Sequence, residues 1–249
     1  HIGNERIELK NDNQIYQYHG VDLSFMRNSM NLIIGSSGVG KSTLLREYFP
    51  QQWDSYVYID QKILGGNKNS CVATVLDIAD KIADVYAKKT KKDKKVFSNH
   101  TGDEGACPAC RGSGVIEYGY DSRTRIDICC EECGGTGFNK ALGRYRIKNE
   151  SIIDIWKMTI SEAIIFFSDL EPKISKILYD ANRISLGHLL IGQATSTLSG
   201  GENVRIKLLK VSKTKSDIIG LDEPFRGLSH SEIFKVISFL EEIRAKSKT

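Results

Sequence analysis

The sequence predicts an α/β domain that is interrupted by a long insertion. Two apolar runs of strand length, Met30–Ile34 and Ser216–Leu221, are each followed by a loop and then by apolar residues at helical spacing. Between them the chain becomes first lysine-rich, then rich in glycine and cysteine, and finally helical in its apolar pattern. Strand–loop–helix units on both sides of such a stretch predict one domain that is split in the sequence and rejoined in space.

Composition and hydropathy argue against a membrane-spanning chain. Hydrophobic residues make up 40% and charged residues 27% of the 249 residues, and no apolar run approaches the length of about 20 residues that a bilayer span requires. The first residues, His1–Glu5, lack both an initiator methionine and the layout of a secretory signal, which indicates a tag remnant or an internal start. We therefore expect a cytoplasmic protein.

The segment Gly35–Thr43, named the phosphate loop below, matches the pattern G-x-x-x-x-G-K-[ST] between a predicted strand and a predicted helix. In this context main-chain amides point at phosphate oxygens, and glycines permit a close approach that side chains would block. We expect Lys41 to reach the β- and γ-phosphates of ATP and Ser42 to bind Mg²⁺. The predicted ATP-binding residues of the loop are Gly35, Ser36, Gly38, Gly40, Lys41, Ser42 and Thr43.

Two adjacent carboxylates, Asp222 and Glu223, follow the second apolar run. Hydrolysis of ATP requires a carboxylate for the metal ion and a neighbouring base that orients or deprotonates the attacking water. An Asp-Glu pair alone is common on protein surfaces, but here the phosphate loop lies upstream and Pro224 stops the strand. We therefore predict that Asp222 binds Mg²⁺ and that Glu223 acts on the water.

A second candidate anion site lies at Leu198–Glu202, named the signature loop below. Its Ser-Gly-Gly sequence opens a predicted helix, Asn203–Val211, and the free amides and dipole of a helix N-terminus favour an anion. Alone, this sequence would indicate an ordinary helix cap. Beside the phosphate loop and the carboxylate pair it predicts a second anion site, at Ser199, Gly200 and Gly201.

Two C-x-x-C pairs predict a structural zinc site in the insertion. The pairs are separated by 19 residues, which is within the spacing of tetrahedral four-cysteine sites, and the missing export signal favours metal over disulfides. Four thiolates leave no open position for catalysis, so the metal would hold the intervening hairpin, Val115–Ile128. Cys129 is a weaker alternative ligand because it breaks the spacing. The predicted ligands are Cys107, Cys110, Cys130 and Cys133.

A lysine run lies ahead of the cysteines, and it is too dense in like charge to fold on its own. Two interpretations stay open. The run is either a solvated loop or a loop that contacts the phosphates of nucleic acid. The candidate DNA-binding residues are Lys88, Lys89, Lys91, Lys92, Lys94 and Lys95.

The order of these motifs resembles that of the UvrA family, the ATPase subunits of bacterial nucleotide excision repair within the ATP-binding cassette (ABC) superfamily. The resemblance is to the second cassette of the family and covers nearly the whole chain. The matching order is the phosphate loop, Ile59-Asp60-Gln61, Phe97-Ser98-Asn99, the two cysteine pairs, the signature loop and Leu221-Asp222-Glu223-Pro224.

The resemblance implies an α/β fold: an ABC-type P-loop nucleotide-binding domain with a largely helical, zinc-containing signature-domain insertion. Residues 1–66 and 198–249 would form the nucleotide-binding core, and residues 67–197 the insertion. Gln61 would sense magnesium and water, and Glu223 would be the catalytic carboxylate. The signature loop would cap ATP on the phosphate loop of an opposite cassette, so that two cassettes pair head to tail. The family's zinc module lies near its DNA surface, which implies damaged double-stranded DNA as the ligand.

Four departures limit what the resemblance implies. The family joins two cassettes in one chain, so a second chain, identical or different, would complete the ATP sites here. Val204 and Ser229 stand where the family has glutamine and histidine. The chain stops at Thr249, before the apolar strand and switch histidine of the family. We therefore expect a truncated chain, slow turnover or completion by a partner.

The leading functional hypothesis is an ATP-dependent DNA-binding ATPase of the excision-repair type, or one that protects against a DNA-damaging compound, with a further repair protein as a partner. Its cofactors would be ATP, Mg²⁺ and Zn²⁺. The alternative is an ATP-gated switch for a protein partner, with little hydrolysis and no DNA binding. A transporter motor is disfavoured because transporter cassettes have no counterpart of the zinc insertion.

Overall fold

The computed structural model describes residues 5–16, 18–60, 62, 69–119, 126–214 and 216–246. Two compact units make up the chain. The core unit comprises His1–Lys62 and Gly200–Thr249, and the insert unit comprises Ile63–Ser199. The boundary between Ser199 and Gly200 falls inside the signature loop.

The core unit begins with a two-stranded antiparallel sheet. Strand β1 (Arg6–Ile15) pairs with β2 (Tyr18–Met26), with a shift of register between Asn11 and Gln14. Leu9 of β1 is fully buried and belongs to the apolar cluster that also holds the helical segment after the phosphate loop. The sheet therefore packs against the segment that carries the predicted ATP contacts.

The chain after the phosphate loop is helical, as the sequence predicts. Helix α1 (Lys41–Thr43) continues through a π-helical turn (Leu44–Tyr48) into α2 (Phe49–Gln52), and strand β3 (Tyr56–Ile59) follows. Phe49 packs against the rings of Trp53 and Tyr56, each with ring centres 5.2 Å apart. These contacts close the apolar core on the side of β3.

The insert unit is mainly helical and also contains short antiparallel strand pairs. Two of its helices, Ile152–Lys157 and Ile160–Phe167, each begin at a capping box, formed by Ser151 with Asp154 and by Thr159 with Glu162. The patterning predicted to be helical up to residue 181 is confirmed. The elements are α3 (Val72–Val75), α4 (Ala79–Thr90), β4 (Val115–Tyr118), β5 (Ile126–Cys129), β6 (Arg146–Ile147), β7 (Glu150–Ser151), α5 (Ile152–Lys157), α6 (Ile160–Phe167) and α7 (Pro172–Arg183).

The chain then returns to the core unit through helix α8 (Gly200–Val211), strand β8 (Ile218–Leu221) and helix α9 (His230–Lys246). Strand β8 pairs in parallel with β3, and the register places Tyr56 opposite Ile218 and Ile59 opposite Leu221. The two halves of the core are therefore joined by main-chain hydrogen bonds, as expected for a domain that is split in the sequence.

The prediction of a strand at Met30–Ile34 is wrong. The segment belongs to no strand, and Leu32 and Ile34 are 79% and 83% exposed, whereas Ile33 packs against the apolar cluster. A strand needs a neighbour for its main-chain N–H and C=O groups. Within the described ranges no segment hydrogen-bonds the main chain of Met30–Ile34. An apolar run has the side-chain composition of a buried strand, but it does not show whether a neighbouring strand is present to pair with it.

Candidate nucleotide and metal sites

The phosphate loop has the backbone that its glycines predict. Gly38 and Gly40 adopt positive φ angles of 81° and 98°, which side chains other than glycine adopt at a cost. A Cβ atom on Gly40 would lie 2.6 Å from the Tyr18 ring, and the Tyr18 hydroxyl donates to the Gly38 carbonyl oxygen over 3.0 Å. Tyr18 of β2, which belongs to no sequence motif, thus packs against the loop and holds its main chain.

Lys41 folds back over its own loop. Its ammonium donates to the main-chain carbonyl oxygens of Gly35 and Ser36, each at 2.7 Å. These contacts hold the positive charge at the start of the loop, which is where the sequence predicts phosphate binding. Ser42 follows within α1, so the two predicted ligand groups are adjacent.

The two carboxylates at the end of β8 differ in their surroundings. Asp222 continues the strand pairing, because its main-chain N–H donates to the Ile59 carbonyl oxygen over 2.9 Å, and its side chain accepts a 2.9 Å hydrogen bond from the Tyr58 hydroxyl. Glu223 is exposed, has a positive φ of 49°, and lies 3.4 Å from Arg226. A positive φ is uncommon for a residue with a side chain and marks a backbone held by its surroundings.

The chain around the predicted Gln61 is held by Lys207 of α8. Gln61 itself lies outside the described residues, but its neighbours do not. Lys207 lies 2.7 Å from the Asp60 carboxylate and donates to the main-chain carbonyl oxygens of Asp60 and Lys62 over 3.0 and 2.8 Å. Burial opposes ionisation of Asp60, but the hydrogen bond and charge of Lys207 outweigh it and lower the pKa of the carboxyl.

The first turn of α8 approaches the loop after β8 closely. A Cβ atom on Gly201 would lie 2.4 Å from the main-chain carbonyl oxygen of Arg226, so this contact requires glycine. Arg205, one turn further along, is 4% exposed, and its Nε and Nη1 atoms have no hydrogen-bond partner within the described ranges. Burial lowers the pKa of this guanidinium, although Glu202 and Glu232 act against the shift.

The insert unit brings the four predicted zinc ligands together. Their sulfur atoms all lie within 4.8 Å of one another, and all four side chains are buried. The Cys107–Cys130 and Cys110–Cys133 sulfur pairs are 3.9 and 3.7 Å apart, far beyond the S–S bond length of about 2.05 Å. A tetrahedron with metal–sulfur bonds of about 2.3 Å has edges of about 3.8 Å. The site therefore fits a tetrahedral zinc ion, and Cys129, which is exposed, lies outside the group.

Glycines bring the two cysteine pairs into contact. A Cβ atom on Gly114 would lie 2.3 Å from the Gly135 carbonyl oxygen, and one on Gly137 would lie 2.3 Å from the Gly112 carbonyl oxygen. The main-chain N–H groups of Gly114 and Gly137 also point at the sulfur atoms of Cys110 and Cys133, over 3.2 and 3.3 Å. N–H donors aimed at thiolates stabilise their negative charge, as a metal site requires.

The predicted hairpin between the pairs is present as β4 and β5. Their register places Ile116 opposite Ile128 and Tyr118 opposite Ile126, so that one face is apolar. Ile116 packs against the cysteine cluster, whereas Tyr118, Ile126 and Ile128 are exposed. The opposite face carries Glu117 and Asp127.

The lysine run is only in part the loop that both interpretations assume, because it ends one helix and enters a 3₁₀ turn. Its first part ends helix α4, whose buried face includes Ile82 and Tyr86, and Phe97 packs against Tyr86 with ring centres 5.6 Å apart. Packing on both sides of the run offsets the repulsion of like charges. Lys94 lies 3.6 Å from Asp80 and 3.1 Å from Asp84, which raise its pKa against the effect of burial. The exposed lysines are Lys88, Lys89, Lys91, Lys92 and Lys95.

Comparison with known families identifies the core. The family model described as "ABC transporter" matches residues 18–226, which is most of the chain. The chain belongs to the ABC family. UvrABC system protein A of Staphylococcus aureus is 31% identical and that of Bacillus subtilis 30% identical, each over 90% of this chain. The crystal structure of UvrA2 from Deinococcus radiodurans matches with a TM-score of 0.85 and 26% identity over 97% of this chain.

The resemblance to UvrA and the predicted fold class are thereby confirmed. The chain spans 27% and 26% of the two UvrABC relatives and 32% of the UvrA2 chain, so it corresponds to part of each. Although the name of the family model refers to transporters, none of the described helices in this ABC chain is long and apolar enough to cross a membrane.

Two departures of this ABC chain from the UvrA pattern have structural explanations. Val204 is fully buried on α8, where an apolar side chain packs without needing a hydrogen-bond partner. Ser229 precedes α9, and Glu232 accepts hydrogen bonds from its main-chain N–H and its hydroxyl over 2.9 and 2.8 Å. Serine at this position therefore starts the helix.

Proposed function

We propose that this chain is an ATP-dependent DNA-binding ATPase of the UvrA type, which acts in the recognition of DNA damage or in resistance to a DNA-damaging compound. The observation that carries the proposal is the combination of an ABC core with a buried four-cysteine cluster in its insertion, in a chain that matches UvrA2 over 97% of its length. Fold alone would leave the function open, because ABC cores serve several activities.

The chemistry of the core supports ATP hydrolysis. Mg²⁺ prefers oxygen ligands, which the hydroxyl of Ser42 and the carboxylate of Asp222 offer, and the ion supplies charge neutralisation on the phosphates when it is bound. Lys41 would bind the phosphates. Glu223 would orient the attacking water, and its exposure leaves the carboxylate accessible to a ligand. Gln61 is proposed as the residue that senses magnesium and water.

A second cassette would complete the ATP site. Ser199, Gly200 and Gly201 are proposed to bind the γ-phosphate of ATP held by the phosphate loop of a partner chain. The helix that begins at Gly200 has 12 residues, so its N-terminal amides and dipole favour an anion. The partner is proposed to be a second copy of this chain or a related cassette.

Binding to duplex DNA would use the exposed lysines of the lysine run, which lies in the insert unit. Phosphate contacts by lysine release counterions, so affinity should fall steeply with salt. Lys94 is tied to two aspartates and contributes least to the proposed surface. The zinc ion would stabilise the insert unit without taking part in catalysis.

Binding of labelled duplex DNA, with and without a lesion, tests the proposal. Wild type and Glu223→Gln are compared with ATP across a salt series, with Lys41→Ala as the control that should not retain ATP. We expect Glu223→Gln, which should hold ATP without hydrolysing it, to bind DNA more tightly, with a preference for the lesion and a strong dependence on salt. If neither protein retains DNA at low salt while ATP still binds, the DNA part of the proposal fails.

One observation favours a second function, an ATP-gated switch for a protein partner. The hairpin of β4 and β5 exposes Tyr118, Ile126 and Ile128 on one face, and exposed apolar clusters of this kind favour protein contacts. The DNA experiment separates the two functions, because a switch of this kind would bind ATP but show no salt-dependent affinity for duplex DNA.

A further inference from the structure

Two tyrosines of β3 lie against the end of β8. Tyr56 and Tyr58 are two residues apart and therefore share one face of the strand, and Tyr58 stands opposite Gly220 in the register. A Cβ atom on Gly220 would lie 2.0 Å from the Tyr56 hydroxyl oxygen. The Tyr56 side chain thus crosses the neighbouring strand at a position that only glycine permits.

Tyr56 anchors this face to the helical segment after the phosphate loop. Its hydroxyl donates to the Leu45 carbonyl oxygen over 2.6 Å. In the π-helical turn the Phe49 N–H donates to the Leu44 carbonyl oxygen, and the equivalent donor for Leu45 would be residue 50, which is a proline without an N–H. Tyr56 supplies the missing donor, so its hydroxyl is bound by Leu45, outside the phosphate loop.

Tyr58 contacts the predicted magnesium ligand directly. Its hydroxyl donates to Oδ2 of Asp222 over 2.9 Å, and in the described part of the chain no other side chain donates to this carboxylate. A tyrosine hydroxyl is protonated at neutral pH and can donate only one hydrogen bond, which here goes to Asp222. The contact joins residues that are 164 positions apart in the sequence.

We propose that Tyr58 is a positioning residue for Mg²⁺: its hydroxyl holds one oxygen of Asp222 and leaves the other for the metal ion that accompanies ATP. A carboxylate that is already oriented loses less freedom when the ion binds. The hydroxyl of Tyr56 donates to Leu45 instead and does not act on the Asp222 carboxylate. The inference rests on the ATP- and Mg²⁺-binding part of the proposed function and is independent of DNA.

Magnesium-dependent binding of a fluorescent ATP analogue to the full chain tests the proposal. Tyr58→Phe removes the donor to Asp222, and Tyr56→Phe, on the same face of the same strand, removes the donor to Leu45 and is the matched control. Hydrogen-bond partners of metal ligands change metal affinity by about 10- to 100-fold. We expect Tyr58→Phe to raise the Mg²⁺ midpoint about tenfold. Tyr56→Phe should leave the midpoint unchanged, and both variants should keep the nucleotide affinity that wild type has in excess EDTA.

A Tyr58→Phe midpoint equal to that of wild type overturns the proposal. The proposal is also overturned if Tyr58→Phe loses as much nucleotide affinity in EDTA as it does with Mg²⁺. That result would show a general disturbance of the phosphate loop. In Asp222→Asn protein, the added Tyr58→Phe change should move the midpoint no further, because it acts through that carboxylate. If wild type binds the analogue without any magnesium dependence, the nucleotide part of the proposed function fails as well. If wild type depends on magnesium but Tyr58→Phe has the same Mg²⁺ midpoint, only the positioning role of Tyr58 is overturned.

Discussion

Lys207 holds Asp60 across a distance of 2.7 Å, and the same ammonium binds the main chain of Lys62 on the other side of Gln61. One side chain of α8 therefore fixes both neighbours of the glutamine that the resemblance assigns to magnesium sensing. Both groups of the ion pair are about one-fifth exposed, so water screens the pair only in part. The segment predicted to sense the nucleotide is thereby joined to the helix that begins in the signature loop.

Removing this ion pair should lower stability in a pH-dependent way. Lys207 lowers the pKa of Asp60 in the folded chain, so the pair stabilises fully above the unfolded value of about 3.9 and is lost as the pH falls through the lower folded value. We expect Lys207→Met to reduce the free energy of unfolding by about 1 kcal/mol at pH 7. Urea unfolding at neutral pH and below pH 3 measures the difference, and an equal difference at both values would contradict the assignment.

Enlarging Gly220 should disturb the core through Tyr56. The added Cβ atom meets the hydroxyl oxygen at 2.0 Å and the ring at 2.8 Å, so Gly220→Ala should destabilise by about 1–3 kcal/mol. Gly143→Ala, where nothing lies within 4 Å of the added atom, is the control. Adding Tyr56→Phe to Gly220→Ala should recover part of the loss in thermal unfolding, because it removes the nearest atom. If the losses of stability caused by Gly220→Ala and Tyr56→Phe simply add in the double variant, the proposed clash between the two residues is contradicted.

Loss of a buried cysteine ligand should remove the metal, but loss of Cys129 should not. Cys110→Ser is expected to reduce the bound zinc from about one ion per chain to none, and to make the insert unit sensitive to protease. Cys129→Ser should keep the ion, because Cys129 is exposed and lies outside the cluster. Metal analysis of the two purified variants measures the zinc bound per chain. An equal loss of zinc in both would contradict the proposed set of ligands.

Exposed lysines should affect DNA binding more than Lys94 does. Each lysine that contacts a phosphate should contribute about 0.9 to the slope of log affinity against log salt. Replacing Lys91 and Lys92 by alanine should therefore reduce the slope by up to about 1.8, whereas Lys94→Ala should change it little because Asp84 and Asp80 already hold that ammonium. DNA binding across a salt series measures the slopes, and an unchanged slope in the double variant would exclude this surface.

Motifs that depend on local spacing were predictable from the sequence. The phosphate loop, the four cysteines and the hairpin between them follow from residues within about 30 positions of one another, where glycine conformations and ligand spacing decide the structure. That the two halves of the core rejoin across the insertion was also predicted, but the pairing of β8 with β3 was not. Helix α9 begins directly after Ser229 for a reason that is also local, because Glu232 accepts hydrogen bonds from the main-chain N–H and the hydroxyl of Ser229.

Contacts between distant residues were not predictable. The partners of Asp222 and Asp60 are Tyr58 and Lys207, which lie 164 and 147 positions away in the sequence. Gly220 was a usable signal, because glycine inside an apolar strand marks a close approach. The prediction of a strand at Met30–Ile34 was wrong because a strand also needs a neighbouring strand, which nearby residues cannot supply. The helical part of the lysine run was not predicted, because it depends on the packing of Tyr86 against Phe97.

The pairing of β3 with β8 also has a consequence for how the chain folds. Strand β8 begins 159 residues after β3 ends, so the core sheet closes a very long loop, and such non-local pairing slows folding. During synthesis at about 5–20 residues per second, β3 waits about 8–30 s for its partner. Over that interval its edge and the rings of Tyr56 and Tyr58 are open to other chains. Newly made protein should therefore be most prone to aggregation before residue 221 leaves the ribosome.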